Sequence, residues 1–202
     1  MVICLEKNSV KKYFNSNASG YDRKKTSGLT GFLVEKERGM IFEFLDVHPG
    51  ERVLDAGCGT GFYSKLIQDL GAYPYGVDIS EEMIDRLQAK CIDGEVGDVA
   101  SISLNRKFDK ILSAGSIEFT GDSIKFLMNL RRHLKDGGFL VMLYPHRSII
   151  GFLYLLFHRT HGIRVKLYSL REITRLLEDS GFELLDLKKC NPIASVLKAQ
   201  TI

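Results

Sequence analysis

The sequence predicts an α/β fold: one doubly wound sheet of seven mostly parallel strands, finished at one edge by an antiparallel hairpin. Three observations carry this. From residue 51 onward, short apolar runs alternate with segments whose apolar residues recur at helical spacing, the pattern of parallel strands joined by crossover helices. The first run, "RVLDAG", leads into glycines at alternate positions, Gly57, Gly59 and Gly61, where one tight turn needs one or two. The last two apolar runs, "FELLDL" and "SVLKAQ", are separated by "KKCNPI", which is too brief for a crossover helix and implies an antiparallel pair.

Taken in order, residues 1–30 are polar and glycine-containing with scattered aromatics. Phe32, Leu33, Met40, Ile41, Phe44 and Leu45 then mark a helix ahead of the core. Pro49-Gly50 breaks the chain before the first strand, and a helix over Phe62–Leu70 follows the glycine turn. "YPYGVDIS" is a second strand, Glu81–Lys90 a helix, "DGEVGDV" a weaker third strand and Phe108–Ala114 a fourth. A helix from about Ser123 to Leu134 ends in "KDGG", a glycine stop ahead of the strand "FLVMLYP". Ser169 with Glu172 three residues on is a capping box, opening a helix that stops at Gly181. The 202 residues show no repeat or low-complexity tract, so the chain is expected to be one domain. Residues 1–45 would form a helical cap or lid, 51–202 the core, and 147–167 a substrate-covering insertion.

Composition excludes several classes. With 45% hydrophobic and 26% charged residues the chain can bury an ordinary core. A net charge of +3 and basic clusters no longer than Arg23-Lys24-Lys25 are too little for a nucleic-acid groove. Cys4, Cys58, Cys91 and Cys190 lack CxxC spacing, so neither a metal site nor a disulfide framework is expected, and a reducing cytoplasmic setting is the default. Met1–Val10 contains Glu6, Lys7 and Asn8 where a secretory leader would be apolar. The longest apolar run, "IIGFLYLLF" at Ile149–Phe157, falls short of the roughly 20 residues of a membrane span. It belongs to a core, a pocket lid or a membrane surface.

In a doubly wound sheet ligands collect beyond the carboxyl ends of the strands, where the strand order reverses. Asp55 closes the first strand there, and the following helix start presents unpaired amides. The bend is GxGxG, with its third glycine one position earlier than in the GxGxxG of dinucleotide binders, which favours a ligand without a pyrophosphate.

"VLDAGCGTGFYS" resembles the first motif of class I S-adenosylmethionine-dependent methyltransferases, and "YGVDIS", "GDV", "FDKILSAGSIEF" and "LKDGGFLVMLYP" resemble the later ones. The resemblance implies a Rossmann-like methyltransferase fold with S-adenosyl-L-methionine as the cofactor and no metal. It places the ribose diol on Asp78, the adenine amine on Asp98 with the amide of Val99 at the ring edge, and the methionine ammonium on Asp55 and carbonyls of the bend. Gly57, Cys58, Gly59 and Gly61 in the bend, Ile79 and Met83 beyond the second strand, and Ser113 in the fourth complete the implied cofactor set. A carboxylate, an acceptor only, suits both a diol and an exocyclic amine. Methyl transfer is an in-line displacement, and positioning can remove roughly 7–11 kcal/mol of such a barrier.

"YFNSNASGYDRKK" is similar to the segment preceding the core in small-molecule methyltransferases of the ubiquinone and menaquinone group, where an alanine and a Tyr-Asp pair recur, here Ala18, Tyr21 and Asp22. That likeness gives Tyr21 a lid role in closing the cofactor site and, with it, a place among the catalytic candidates. His146, whose free pKa near 6.5 suits a general base, and Glu118 are the others, with Tyr144 also near a strand end. That group often has a histidine after the residue matching Glu118, where this chain has Phe119. Tyr144–Arg147 loosely resembles porphyrin methyltransferases, which makes a tetrapyrrole or quinone worth naming as acceptor. The expected activity is O- or C-methylation of a small, apolar or aromatic acceptor by a monomer or homodimer, with no nucleic-acid partner and no integral membrane segment. Two alternatives stand beside it: an NAD-dependent oxidoreductase, and a catalytically silent cofactor-binding partner subunit. The fourth strand is followed by "SAGS" and not by the Asn/Asp-Pro-Pro-aromatic pattern that clamps a flipped base.

Overall fold

The computed structural model describes residues 2–18 and 28–202. Two helices, α1 (Val2–Asn17) and α2 (Gly28–Leu45), precede the alternating core of β1 (Arg52–Ala56), α3 (Phe62–Asp69), β2 (Tyr73–Asp78), α4 (Glu81–Gln88), β3 (Asp93–Val96) and β4 (Phe108–Ala114). After a 3₁₀ turn at Ile117–Phe119 come α5 (Ser123–His133), β5 (Leu134–Pro145), α6 (Ile149–Thr160), α7 (Leu170–Asp179), β6 (Phe182–Lys189) and β7 (Ala194–Thr201). The seven strands form one sheet, as the residue pattern predicts, and their order is β3-β2-β1-β4-β5-β7-β6. The pairs from β3 to β5 are parallel, and β7 runs antiparallel to both β5 and β6. The chain goes one way from β1 to β2 and the other way to β4, so the strand order reverses at the tip of β1.

Strand alternation divides the core. Leu54, Ile111, Leu140, Met142 and Leu197 face α5 and α7 with Phe126, Leu127, Ile173 and Leu177. Val53, Leu112, Val141 and Val196 face the other way, against Ile41, Phe44 and Leu45 of α2 and Ile67 of α3. Ser169 and Glu172 make the predicted capping box.

Two local readings differ from the structure. α5 ends at His133, and "KDGG" is no helix stop: β5 already begins at Leu134, and the residues up to Gly138 are accommodated by a register shift, with Phe108 opposite Leu134 and Lys110 opposite Phe139. Gly137, at φ +76°, turns that irregularity. Val2–Asn17, a segment without an obvious apolar stripe, is helical. Val10, Tyr13 and Phe14 pack it against Ile163 and Val165, and polar side chains tie it to the core. Lys7, Lys11 and Asn15, four residues apart on one face, bond Asp98, Glu81 (2.6 Å) and Ser80 respectively.

Candidate functional site

The three glycines of the bend all lie at positive φ, +83°, +53° and +77° for Gly57, Gly59 and Gly61, where an L side chain is strained. The bend is tied to the neighbouring strand tip: the amides of Gly57 and Cys58 donate to the Val77 carbonyl at 2.8 and 3.1 Å, and that of Gly59 donates to Asp78 Oδ2 at 2.8 Å. Asp78 Oδ1 accepts from the Ser80 amide at 3.0 Å, and Ser80 in turn caps α4 through Met83. Asp78 therefore shapes the loop while facing the cleft that the loop borders. Burial raises its pKa, and the amides of Ser80 and Gly59 oppose that rise.

This cleft holds about 910 Å³ of open space. The bend, Asp78, Ile79, Met83, Asp98 and Val99 line it from the sheet side, and Lys7, Val10 and Phe14 of α1 from above. Lys7 is ion-paired with Asp98, whose Oδ1 also accepts from the Ala100 amide at 2.9 Å. Asn129, on α5, holds the turn beneath by donating to the carbonyls of Val99 (2.8 Å) and Ile102 (2.9 Å). Asn129→Leu leaves two carbonyls unpaired, so a loss of about 2 kcal/mol is expected. For a chain of this size that is a melting temperature lower by about 4–8 °C. Calorimetric melting checks it, and an unchanged transition would contradict the clamp.

A second chamber adjoins the first, sharing Phe14, Ala114, Gly115 and Phe119 with it. It is open to solvent and largely apolar, with Leu33, Val34, Leu143, Tyr154 and Phe157 among its walls. Glu118 lines it, only 4% exposed, and burial, with nearby Glu37 adding, pushes its pKa up to about 8. The carboxyl is therefore mostly protonated at neutral pH and can donate a hydrogen bond. His158 of α6 lines it too, and burial, then His161, hold that imidazole below its usual pKa.

Gly57, Cys58, Gly59, Asp78, Ile79, Met83, Asp98 and Val99 meet around the first cleft. Gly61 starts α3 just beyond, where a β-carbon would stand 2.4 Å from Leu87 Cδ1. Asp55, on the β1 face that carries Val53, points to α3 and accepts from Ser64 Oγ at 2.5 Å, behind the bend and 1% exposed. Ser113 is buried against Ser116 Oγ at 2.8 Å. Cys58 stays a thiol because burial, then the charges of Asp55 and Asp78, raise its pKa. His146 lines neither chamber, its Nδ1 lying 3.0 Å from Ser195 Oγ of β7. Glu118 and Tyr144 line the second chamber, and Tyr21 falls outside the described residues. Lys7, Asn129 and His158 had not been singled out. The four-residue spacing of Lys7, Lys11 and Asn15 and the lone imidazole ending an apolar run are the signals they leave.

A family described as "Methyltransferase domain" matches residues 23–187. The chain is 31% identical over 152 residues to the demethylmenaquinone methyltransferase of Tropheryma whipplei (strain Twist), covering 71% of this chain and 63% of that protein. It is 30% identical over 156 residues to the ubiquinone biosynthesis O-methyltransferase of Dinoroseobacter shibae, covering 69% and 62%. The chain thus spans somewhat under two thirds of these relatives' length. Among solved structures, magnesium protoporphyrin IX methyltransferase from Synechocystis PCC 6803 with bound SAH superposes at TM-score 0.75 and 20% identity, covering 98% of this chain and 100% of that one. Geranyl diphosphate C-methyltransferase from Streptomyces coelicolor A3(2) superposes at 0.79 and 13%, covering 98% of each.

Proposed function

Since the chain belongs to the methyltransferase domain family, we propose that it transfers a methyl group from S-adenosylmethionine to a small, apolar or aromatic acceptor, at oxygen or carbon. The observation that carries the reading is the pair of adjoining chambers: one bordered by the glycine bend and two carboxylates, the next apolar, with Phe14, Ala114, Gly115 and Phe119 common to both.

The first chamber fits an adenosyl group. Asp78 and Asp98, at the tips of the neighbouring strands β2 and β3, are acceptors in a cleft also walled by the apolar side chains of Ile79, Met83, Val99 and Phe126. Each carboxylate oxygen has two lone pairs, so Asp78 retains capacity for a diol after accepting from Gly59 and Ser80. The one cation among the described lining residues, Lys7, is already paired with Asp98, which leaves a pyrophosphate poorly matched and speaks against a dinucleotide. When bound, S-adenosylmethionine supplies a sulfonium-activated methyl group. The chain positions the acceptor against the second chamber's apolar wall.

α6 leaves Ile149, Ile150, Phe152, Leu153, Leu156 and Phe157 exposed, and Tyr154 and Phe157 also line the acceptor chamber. No helix among the described residues is long and apolar enough to cross a membrane. Residues 147–167 act as the chamber's cover, because α6 is the element that walls its side. Titration calorimetry with S-adenosylmethionine, its demethylated product and NAD tests the function. Binding of the first two without NAD is expected, and binding of NAD alone would replace the reading with an oxidoreductase.

A further inference from the structure

Two residues that line the acceptor chamber each hold a buried polar atom with nothing to bond. Glu118 Oε2 and His158 Nδ1 lack a hydrogen-bond partner among the described residues, in side chains 4% and 7% exposed. Leaving a buried donor or acceptor unpaired costs about 1–3 kcal/mol, and native interiors hold few such atoms. Both side chains line the same chamber. His158 is boxed by rings, with centroids of Tyr154, Phe157, Phe119 and Tyr13 at 4.5, 5.5, 5.8 and 5.8 Å, none meeting it at a parallel stacking angle. Rings hold the imidazole in place without satisfying its nitrogen.

The chamber's charge narrows what can complete this arrangement. Its described lining includes the carboxyls of Glu37 and Glu118 and no lysine or arginine. An acceptor bearing a carboxylate or phosphate would meet the Glu37 carboxyl with no cation in the described lining to offset it, while Glu118, protonated, adds no charge. Resting on the methyl-transfer reading above, we propose that Glu118 and His158 together recognise an uncharged planar acceptor, whose reacting hydroxyl donates to His158 and whose second oxygen accepts from Glu118.

The protonation states agree. Glu118, with a pKa of about 8 under burial and Glu37, keeps the proton it donates at neutral pH. His158, held low by burial and His161, is unprotonated and can accept. In the step itself the acceptor's O–H bond breaks and its proton goes to His158. The freed oxygen pair forms the bond to the methyl carbon, and the carbon–sulfur pair stays on sulfur, so no oxidant or reductant is needed. His158 is thus assigned as the general base, and Glu118 as the second anchor.

Calorimetry on the protein saturated with S-adenosylhomocysteine tests this with two probes sharing one ring, 2,6-dihydroxynaphthalene and 6-hydroxy-2-naphthoate. The diol is expected to bind at least about tenfold more tightly than the carboxylate. His158→Phe, which suits the aromatic box, and Glu118→Leu should each weaken the diol about tenfold without changing S-adenosylhomocysteine affinity. His158→Gln and Glu118→Gln, which keep a hydrogen-bonding group, should restore much of it. Equal or tighter binding of the carboxylate, no binding of the diol, or His158 variants that bind it like the parent would overturn the pair. Failure of S-adenosylhomocysteine to bind would instead overturn the methyl-transfer reading beneath it.

Discussion

Gly57→Ala is expected to lower the melting temperature by about 4–20 °C and to weaken binding in the first cleft. The backbone at Gly57 sits at φ +83°, which costs a side-chain-bearing residue about 1–2 kcal/mol. A β-carbon there would also stand 2.4 Å from Ser116 Cβ, closer than atoms can pack. Ser116 cannot simply turn away, because its Cβ is fixed to the backbone and its Oγ is bonded to the Ala56 carbonyl at 2.9 Å. Overpacking of this kind adds about 1–3 kcal/mol. Because the strain falls within the bend whose amides are tied to Val77 and Asp78, the cleft is distorted along with the fold. Removing the opposing β-carbon in Gly57→Ala/Ser116→Gly should recover the steric part and leave the dihedral part, a non-additivity readable in a double-mutant cycle. A Gly57→Ala protein that melts like the parent would contradict this geometry.

Glu118→Gln is expected to stabilise the protein at alkaline pH and to have no such effect in acid. The carboxyl's pKa is raised from 4.5 to about 8 in the folded protein, chiefly by burial. Between those values the unfolded chain gives up this proton while the folded chain keeps it. The folded state binds more protons over that interval, so stability falls as pH rises through it. The penalty is absent below about pH 4.5 and complete above about pH 8, with a size of a few kcal/mol. Glutamine carries no charge, so the variant's advantage should open across that window, seen as melting curves that coincide at pH 4 and separate by pH 9. Curves that stay parallel throughout would mean that Glu118 is not buried as described. A stability gain at alkaline pH with impaired acceptor binding in Glu118→Leu is the combination expected of a site residue held in an unfavourable environment.

The sheet was legible because its signals are local and redundant. Apolar runs alternate with helical spacing, "KKCNPI" is too short to cross over, and Ser169 with Glu172 announces its own helix. The tips of β1 and β2 were legible for the same reason: Gly57, Gly59, Gly61 and Asp78 are spaced by the chain itself. What was hidden depends on contacts distant in sequence. Lys7, Lys11 and Asn15 look like a solvated helix face until Asp98, Glu81 and Ser80 are placed opposite them. His158 looks like the polar end of a greasy segment until Phe119 and Tyr13 close around it. His146, plausible by its position after β5, turns to Ser195 of β7, whose register against β5 no short-range pattern discloses. Asp55 could have been read from strand alternation alone, since it shares a face with Val53 and therefore points to α3.

The central claim is that the cleft bordered by the glycine bend binds S-adenosylmethionine with Asp78 as an anchor. Its most direct test is the calorimetric affinity for that compound in the parent and in Asp78→Ala, with the melting temperature of each recorded alongside. Binding in the parent, weakened about a hundredfold in a variant that still folds, is the outcome expected for the loss of charge-assisted hydrogen bonds. An affinity left unchanged by Asp78→Ala, or no binding by the folded parent, would contradict it.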